Sequence, residues 1–229
     1  MKAVVLSSGG VDSTTCLSVA IDKLGKENVV TVSVFYGQKH SKELEAAKAV
    51  AAYYKVPHYV LDLSQVFAQS NCSLLAGSTK EITHKSYADQ IKENGEGMVS
   101  TYVPFRNGLM LSAVASLAMS LFEDDDVEIY LGAHADDAAG NAYADCSEAF
   151  VAAMTKAISI GTYDKVHVVA PFAAMNKAQL VGVGLKLHTP YELTWSCYEG
   201  GDRPCGTCGT CIDRANAFKA NGVEDPALL

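Results

Sequence analysis

Short runs of apolar and β-branched residues alternate with helical patterns along most of the chain. Such runs are typical of strands buried on both faces of a sheet, and the segments between them are long enough for crossover helices. The strands are expected at residues 3–6, 29–35, 58–63, 127–132 and 166–169, and the helices at 12–24, 41–54, 106–122, 147–160 and 176–186. This alternation predicts an α/β fold with a doubly wound, mostly parallel sheet.

A change in composition near Pro190 divides the 229-residue chain into two parts. Residues 1–190 are expected to form the α/β domain, because a segment of that length can bury one large core. Residues 191–229 are rich in cysteine and glycine, and we expect a small C-terminal knuckle followed by a helix. The less regular stretch 64–100 is expected to leave the core as a mobile loop on the substrate side.

A loop with two adjacent glycines, residues 7–14 (Ser-Ser-Gly-Gly-Val-Asp-Ser-Thr), joins the first strand to the first helix. Free amide groups and the positive end of the helix dipole meet there, and glycines let the backbone approach a phosphate closely. The loop is not a Walker A loop, because no lysine follows the glycines. A Mg²⁺ ion is therefore expected to balance phosphate charge, with Asp12 as its ligand. A tight turn capped by Asp12 or Ser13 is the alternative.

Four of the seven cysteines lie within fifteen residues, at Cys197, Cys205, Cys208 and Cys211. Four thiolates can form a closed tetrahedral Zn²⁺ site, which would have a structural role and would supply folding free energy to so short a segment. An iron–sulfur cluster and a redox dithiol are the alternatives, although no Cys-Pro follows at the ferredoxin spacing.

Cysteine usage and charge also restrict the compartment and the partners. An odd number of cysteines and the lack of a secretory start at Met1 predict a reducing, cytoplasmic compartment. The formal net charge of −8 argues against direct binding of nucleic acid. The longest uncharged run, residues 107–122, is shorter than the ~20 residues that span a membrane. These features favour a small-molecule substrate.

Residues 8–13 (Ser-Gly-Gly-Val-Asp-Ser) resemble the PP-loop of the ATP pyrophosphatase superfamily. Members of that superfamily cleave ATP between the α- and β-phosphates and activate a substrate oxygen as an adenylate. The resemblance implies an adenine nucleotide alpha hydrolase-like fold, with AMP and pyrophosphate as products. The residues that it implies for nucleotide binding are Ser7, Ser8, Gly9, Gly10, Val11, Asp12, Ser13, Thr14, Thr15, Cys16 and Leu17.

The C-terminal sequence narrows the resemblance to one family. Residues 193–198 (Leu-Thr-Trp-Ser-Cys-Tyr) and 204–211 (Pro-Cys-Gly-Thr-Cys-Gly-Thr-Cys) are very similar to the C-terminal signature of the 7-cyano-7-deazaguanine synthase family. Further matching blocks lie in order at residues 36–40, 103–107, 132–137 and 171–172. The resemblance covers nearly the whole chain and implies a homodimer.

The resemblance implies an ATP-dependent carbon–nitrogen ligase of queuosine-type biosynthesis. Its substrates would be 7-carboxy-7-deazaguanine, ATP and ammonia, and its product the 7-cyano compound, preQ0. No segment remains for a glutaminase domain, so free ammonia is the expected nitrogen source.

Asp12, Ser13, Arg106 and Asp136 are the residues that we expect to carry the catalysis. The planar fork of Arg106 suits phosphate or carboxylate, and Asp136 follows a predicted strand, where the sites of α/β proteins gather. A capping or solvated role is the alternative for Asp136. Weaker signals come from Tyr36, Gln38, His40, His134, Asp137, Asp145 and Cys146, which can line the pocket, and from Trp195, which is expected to pack against the metal knuckle.

One block departs from the family pattern. The family usually has Tyr-Pro-Asp-Cys-Arg where residues 143–147 read Tyr-Ala-Asp-Cys-Ser. The change keeps open an amide-forming relative that serves DNA modification. A PP-loop tRNA thiolase is a second alternative, which the acidic charge disfavours, and a non-catalytic zinc-ribbon module is a third, which the intact loop disfavours.

Overall fold

The computed structural model describes residues 1–95 and 97–228; Glu96, in the irregular stretch, and Leu229, in the C-terminal segment, lie outside the described residues. A parallel sheet forms its centre, with the strands β1 (Lys2–Leu6), β2 (Val29–Phe35), β3 (His58–Asp62), β4 (Val127–Tyr130) and β5 (Val166–Val169). The order across the sheet is β3-β2-β1-β4-β5, and every neighbouring pair is parallel. The predicted α/β fold is confirmed.

The helices lie between the strands and after the last strand along the chain. The five helices that the sequence predicts begin and end within one residue of their expected positions. They are α1 (Val11–Leu24), α2 (Lys42–Tyr54), α3 (Ser64–Phe67), α4 (Tyr87–Asn94), α5 (Arg106–Leu121), α6 (Ala135–Ala138), α7 (Glu148–Gly161), α8 (Lys177–Lys186) and α9 (Gly209–Ala220). Local signals explain this agreement. Asn176 and Gln179 form a capping box at the start of α8, and Gly25, with φ of +78°, ends α1. None of the helices in the described ranges is long and apolar enough to cross a membrane.

Helices cover both faces of the sheet, as a doubly wound fold requires. Successive residues of a strand point to opposite faces. On one face Val4 packs in a buried cluster with Leu111 of α5. On the other face Val5 packs in a second cluster with Leu17 of α1 and Leu180 of α8. The two clusters account for the apolar residues of β1, β2, β4 and β5, whereas Tyr59 and Val60 of the edge strand β3 are exposed, so this strand is not buried on both faces as the sequence predicts.

The strand order reverses beside β1. The chain runs from β1 through β2 to β3 on one side, and then returns to β4 on the other side of β1. Ligands of doubly wound sheets bind outside the carboxyl ends of the strands at such a reversal. The loops that follow β1 and β4 therefore mark the expected position of the site.

The C-terminal segment packs on the α/β domain. Ala217 and Phe218 of α9 belong to the same buried cluster as Leu17. The amide of Trp195 donates a hydrogen bond to the carbonyl oxygen of Gly9 at 2.9 Å, so this segment also reaches the loop after β1. The division at residue 190 stays a prediction about chain organisation, because the two parts share one core.

The irregular stretch 64–100 carries the short helices α3 and α4 and is tied back to the domain by backbone contacts. Gln38 and Leu75 form an isolated antiparallel bridge. The amide of Ser73 donates to the carbonyl oxygen of Ser100 at 3.0 Å. The bridge holds the interior of the stretch near the carboxyl end of β2, and the Ser73–Ser100 bond joins the interior to its last residue. The mobility of the stretch stays a prediction.

Candidate active site

A cavity opens at the carboxyl edge of the sheet, beside the reversal of strand order. Its walls come from the loop after β1, from α2, from the start of α5, from the loop after β4 and from the C-terminal segment. Residues that line it include Ser8, Ser13, Glu43, Arg106, Asp137, Lys177 and Tyr198. The fold thus brings residues from nearly the whole chain to the predicted position.

The loop after β1 presents backbone amides at the start of α1. Gly10 precedes the helix, and no side chain caps the helix there. The hydroxyl of Ser13 bonds within the turn, where it accepts a hydrogen bond from the amide of Ser8 at 3.1 Å. The amides of the first helical turn are therefore left for an anion, as the predicted phosphate site requires.

Two glycines allow close packing around this loop. Gly9 has φ of +80°, and a Cβ atom at this position would collide with the carbonyl oxygen of Glu43 in α2. A Cβ atom at Gly132 would lie 3.1 Å from the backbone nitrogen of Ser13. The absence of side chains at these two positions lets α2 and the end of β4 approach the loop.

Lys177 supplies the cation that the loop lacks in its own sequence. Its Nζ lies 2.9 Å from Oδ2 of Asp12, and its side chain is only 12% exposed. Burial disfavours both charges, but the ion pair outweighs burial: it raises the pKa of Lys177 and lowers the pKa of Asp12. Both groups are therefore charged at neutral pH.

His134 and Asp137 extend this charged cluster. Nε2 of His134 lies 3.4 Å from Oδ1 of Asp137 and 3.8 Å from Oδ2 of Asp12. Burial raises the pKa of Asp137, and the neighbouring charge of Asp12 acts in the same direction, although His134 and Lys177 oppose it. The cluster places two carboxyl groups beside the phosphate-binding loop.

The donor set of this cluster fits a divalent cation. Oδ1 of Asp12 is buried and has no hydrogen-bond partner among the described residues. Asp137 lines the same cavity as Asp12. Carboxylate oxygens are the ligands that Mg²⁺ prefers, usually together with water and substrate phosphates. Asp12 and Asp137 can therefore hold the ion that ATP brings.

Arg106 begins α5 and lines the cavity. Its guanidinium lies 5.2 Å from the centre of the Tyr36 ring, and Nη1 donates to the Tyr36 hydroxyl at 3.4 Å. Its Nε is buried without a partner in the described part of the chain. Glu43 faces the same space, and burial raises the pKa of its carboxyl to about 7 against the attraction of Arg106. Arg106 therefore keeps donors for an anionic ligand.

Several predicted residues lie outside the cavity. Oδ2 of Asp136 accepts a hydrogen bond from the amide of Lys177 at 2.8 Å, so Asp136 caps α8 while its neighbour Asp137 lines the cavity. Nε2 of His40 lies 3.1 Å from the carbonyl oxygen of Tyr198. The last residues of the predicted nucleotide set are buried within α1 and are not among the residues that line the cavity; they are Thr14, Thr15, Cys16 and Leu17.

Comparison with known proteins identifies the family. The family model described as "Queuosine biosynthesis protein QueC" matches residues 2–222. The 7-cyano-7-deazaguanine synthase of Archaeoglobus fulgidus is 44% identical over 229 residues, which are 100% of this chain and 90% of the relative. The synthase of Caldicellulosiruptor saccharolyticus is 43% identical over 226 residues, 99% of this chain and 94% of the relative. The chain belongs to the 7-cyano-7-deazaguanine synthase family.

Solved structures are more distant from this member of the synthase family. NMN synthetase from Francisella tularensis aligns with 97% of this chain and 78% of its own length, at a TM-score of 0.49 and 11% identity. A likeness at that level says nothing about substrates.

The four clustered cysteines of this synthase family member converge on one point. Their Sγ atoms all lie within 4.8 Å of one another. Zinc–sulfur bonds of about 2.3 Å in a tetrahedron require sulfur atoms about 3.8 Å apart, so little movement is needed to close the site. The amides of Glu199 and Cys205 donate to Sγ of Cys197 at 3.4 and 3.3 Å. The donor set fits a closed tetrahedral metal site.

Residues 143–147, which depart from the synthase family pattern, include a helix cap and a residue that lines the cavity. Ser147 caps α7, where its hydroxyl accepts from the amide of Phe150 at 3.2 Å. Cys146 lines the cavity, and Nδ2 of Asn107 donates to its Sγ at 3.2 Å. The carboxylate of Asp145 accepts from the amide of Asn107 at 3.0 Å. The position usually taken by arginine in the family thus carries a helix cap here.

Sequence reasoning gave no role to several polar residues that line the cavity, among them Glu43, Tyr87, Thr101, Lys177, Tyr198 and Asp213. Glu43 lies in the predicted helix 41–54, and Tyr87 lies in the irregular stretch 64–100. Nothing in the sequence indicates that either side chain points into the cavity. Lys177 had a usable signal: it begins a helix after β5, and the carboxyl ends of parallel strands share one edge of the sheet.

Proposed function

We propose that this chain catalyses the ATP-dependent conversion of 7-carboxy-7-deazaguanine and ammonia to 7-cyano-7-deazaguanine. The observation that carries the proposal is the loop after β1, whose uncapped amides face a cavity together with the Asp12–Lys177 pair. Membership of the synthase family supplies the substrate class.

The chemistry requires activation of a carboxylate. A carboxylate is a poor electrophile, because its charge repels nucleophiles and oxide is a poor leaving group. Transfer of AMP to one of its oxygens removes the charge and creates a good leaving group, which ammonia displaces to give an amide. A second transfer of AMP to the amide oxygen allows its loss and gives the nitrile. The protein contributes positioning and charge stabilisation in both rounds.

Each cation of the cavity has a separate task in this scheme. Lys177 and the amides after Gly10 bind the pyrophosphate that leaves ATP, because they lie together at the start of α1. Arg106, which also lines the cavity, binds the carboxylate or the α-phosphate through donors that the described residues leave unused. Ser13 holds the shape of the loop through its bond with the amide of Ser8.

Two metal ions belong to the proposal. Asp12 and Asp137 would hold Mg²⁺, which offsets the charge of the phosphates. Cys197, Cys205, Cys208 and Cys211 would hold Zn²⁺ in a structural role, which the closeness of their sulfur atoms supports. Elemental analysis of the purified protein distinguishes zinc from iron.

A tRNA thiolase is less compatible with the site. Such an enzyme needs a nucleophilic cysteine near ATP, and Cys146 is the cysteine that lines the cavity in the described part of the chain. Burial raises the pKa of this thiol, with the charges of Asp137 and Asp145 acting in the same direction. The thiol therefore stays protonated and is a poor nucleophile at neutral pH.

The test is incubation with 7-carboxy-7-deazaguanine, ATP, Mg²⁺ and ¹⁵N-labelled ammonia, followed by mass spectrometry. The proposal predicts a nitrile that carries one ¹⁵N atom. An amide as the final product would favour the amide-forming relative. The absence of both products with metal-replete protein would reject the proposal.

The proposal includes a cytoplasmic homodimer that acts on small molecules without binding nucleic acid directly. Seven cysteines without a disulfide suit a reducing compartment. The homodimer follows from the family resemblance, and sedimentation equilibrium of the purified protein measures it.

A further inference from the structure

Four hydroxyl groups form a hydrogen-bonded chain along one wall of the cavity. Oγ1 of Thr101 lies 2.5 Å from Oη of Tyr143, which donates to Oη of Tyr87 at 3.3 Å. Oη of Tyr87 lies 2.7 Å from Oη of Tyr198. All four residues line the cavity. The chain joins the irregular stretch, the block that departs from the family pattern and the C-terminal segment.

The number of protons on the four hydroxyl groups determines how many hydrogen bonds they can donate to a ligand. Four hydroxyl groups carry four protons, and the three bonds between them use three. Because Tyr143 donates to Tyr87, Thr101 must donate to Tyr143, whereas either hydroxyl can donate in the bond between Tyr87 and Tyr198. Tyr198 ends the chain of hydroxyl groups and lines the cavity. When Tyr87 donates in the last bond, the proton of Tyr198 is left for a ligand in the cavity.

The surroundings keep the hydroxyl chain neutral and in place. Burial raises the pKa of Tyr87 and Tyr143, so both phenols stay neutral at physiological pH. The rings of Tyr87 and Tyr143 meet edge to face at 5.9 Å. Tyr198 directly follows Cys197, and its carbonyl oxygen bonds with His40. The cysteine cluster thus fixes the backbone that carries the donor.

The proposed reaction restricts which substrate atom can accept this bond. The carboxylate changes to an amide and then to a nitrile, so an anchor on that group would be lost during the reaction. The ring carbonyl oxygen of a guanine-like heterocycle is an acceptor that is the same in the acid, the amide and the nitrile. A donor that holds the substrate through both rounds must therefore contact the ring.

We propose that Tyr198 determines specificity for the heterocycle, because its hydroxyl donates a hydrogen bond to the ring carbonyl oxygen of the 7-deazaguanine substrate. This inference rests on the proposed function. Thr101, Tyr143 and Tyr87 act as positioning residues that orient the proton of Tyr198. A site with a buried hydrogen-bond donor for a substrate oxygen discriminates strongly against an analogue that lacks this oxygen, because the donor is then left without a partner.

The test compares two acids in wild type and in Tyr198→Phe. One acid is 7-carboxy-7-deazaguanine, and the other is its analogue with hydrogen in place of the ring oxygen. We expect wild type to prefer the first acid about tenfold or more in kcat/KM, the loss of one hydrogen bond to a buried donor. In Tyr198→Phe this preference disappears, while KM for ATP stays within about twofold. A general structural defect would lower kcat/KM for both acids equally and leave the preference unchanged.

Tyr163→Phe is the matched control, because it removes the same atom from a side chain that is 88% exposed. It should retain the wild-type preference. Should Tyr198→Phe fail to fold, Tyr87→Phe replaces it: the donor then loses its orientation, and the preference falls. A wild type that makes the 7-cyano compound, with a preference that survives both substitutions, would overturn this inference alone. A wild type that makes neither amide nor nitrile would overturn the proposed function, and this inference with it.

Discussion

At the scale of single residues, the cavity owes its chemistry to charges that come from distant parts of the chain. Asp12 lies in the loop after β1 and Lys177 at the start of α8, yet their charged atoms are 2.9 Å apart. A phosphate that enters this space meets the amides of the loop and a lysine that Asp12 holds in place. Lys177 would thus take the place of the lysine that follows the glycines in a Walker A loop, although it belongs to another element, α8.

Removal of Lys177 tests this assignment. Lys177→Ala should lower the rate of AMP formation about 100-fold or more, because a preorganised cation at a leaving phosphate contributes several kcal/mol to the transition state. Lys186→Ala, at the exposed end of the same helix, is the matched control and should remain within about twofold of wild type. Equal rates for the two variants would show that Lys177 does not bind the leaving group.

Glu43 predicts a pH dependence of stability. Burial raises the pKa of its carboxyl from 4.5 to about 7. The folded state therefore binds this proton more tightly than the unfolded state, and the associated stability is present below pH 4.5 and lost as the pH rises through about 7. Glu43→Gln should raise the thermal midpoint by a few degrees at pH 8 and leave it almost unchanged at pH 4.5.

The exposed Glu123 offers the control for this experiment. Glu123→Gln should shift the midpoint by less than about 1 °C at both pH values, in line with surface substitutions generally. A gain for Glu43→Gln that is the same at pH 4.5 and pH 8 would contradict the raised pKa.

At the scale of elements, a buried ion pair ties the C-terminal helix α9 to the segments that precede and follow it. Nε of Arg214 lies 2.6 Å from Oδ2 of Asp225, and Nη2 donates to Oδ1 at 2.8 Å. Nη1 of Arg214 also donates to Oγ1 of Thr194 at 2.9 Å, just before the metal knuckle. Both charged side chains are at most 6% exposed. The pair therefore fixes the direction in which the chain enters the cysteine cluster.

Breaking this pair should be costly. Asp225→Ala leaves the guanidinium of Arg214 buried without its counter-charge, and we expect a loss of about 3–5 kcal/mol in the free energy of unfolding. Glu224→Ala, at the exposed neighbouring position, should change it by less than about 0.5 kcal/mol. Urea denaturation measures both values, and similar losses for the two variants would refute the role of the pair.

The elements were more predictable than the site. Helix ends were set by local chemistry that the sequence displays, such as the Asn176 capping box and Gly25. The roles of Asp136 and Asp137 depend on which carboxylate meets the amide of Lys177, a contact 41 residues away in the chain. Adjacent residues with the same side chain carry no local signal that separates a helix cap from a cavity wall.

At the scale of the whole molecule, the cysteine cluster and the sheet act as one unit. Trp195 bonds to Gly9 through its amide and to the carbonyl oxygen of Cys197 through its indole nitrogen, at 2.9 and 2.8 Å. The cluster therefore supports both the phosphate loop and Tyr198. A metal at the four cysteines would stabilise the shape of the cavity without taking part in the chemistry.

Removal of the metal should therefore affect the whole fold. We expect one zinc ion per chain, and a thermal midpoint about 10 °C or more lower after chelation, because metal binding supplies folding free energy. Cys208→Ser should bind less than one zinc ion, whereas Cys72→Ser, outside the cluster, should retain one. A midpoint that chelation leaves unchanged would contradict this structural role.

In the proposed reaction, one cavity activates first a carboxylate and then an amide, each time with ATP. The number of AMP molecules released per molecule of 7-cyano-7-deazaguanine measures this directly, with nucleotide and nitrile quantified in the same reaction by chromatography. We expect a ratio of two, with one AMP released when the amide is the species that accumulates. A ratio of one, or the release of ADP in place of AMP, would contradict it.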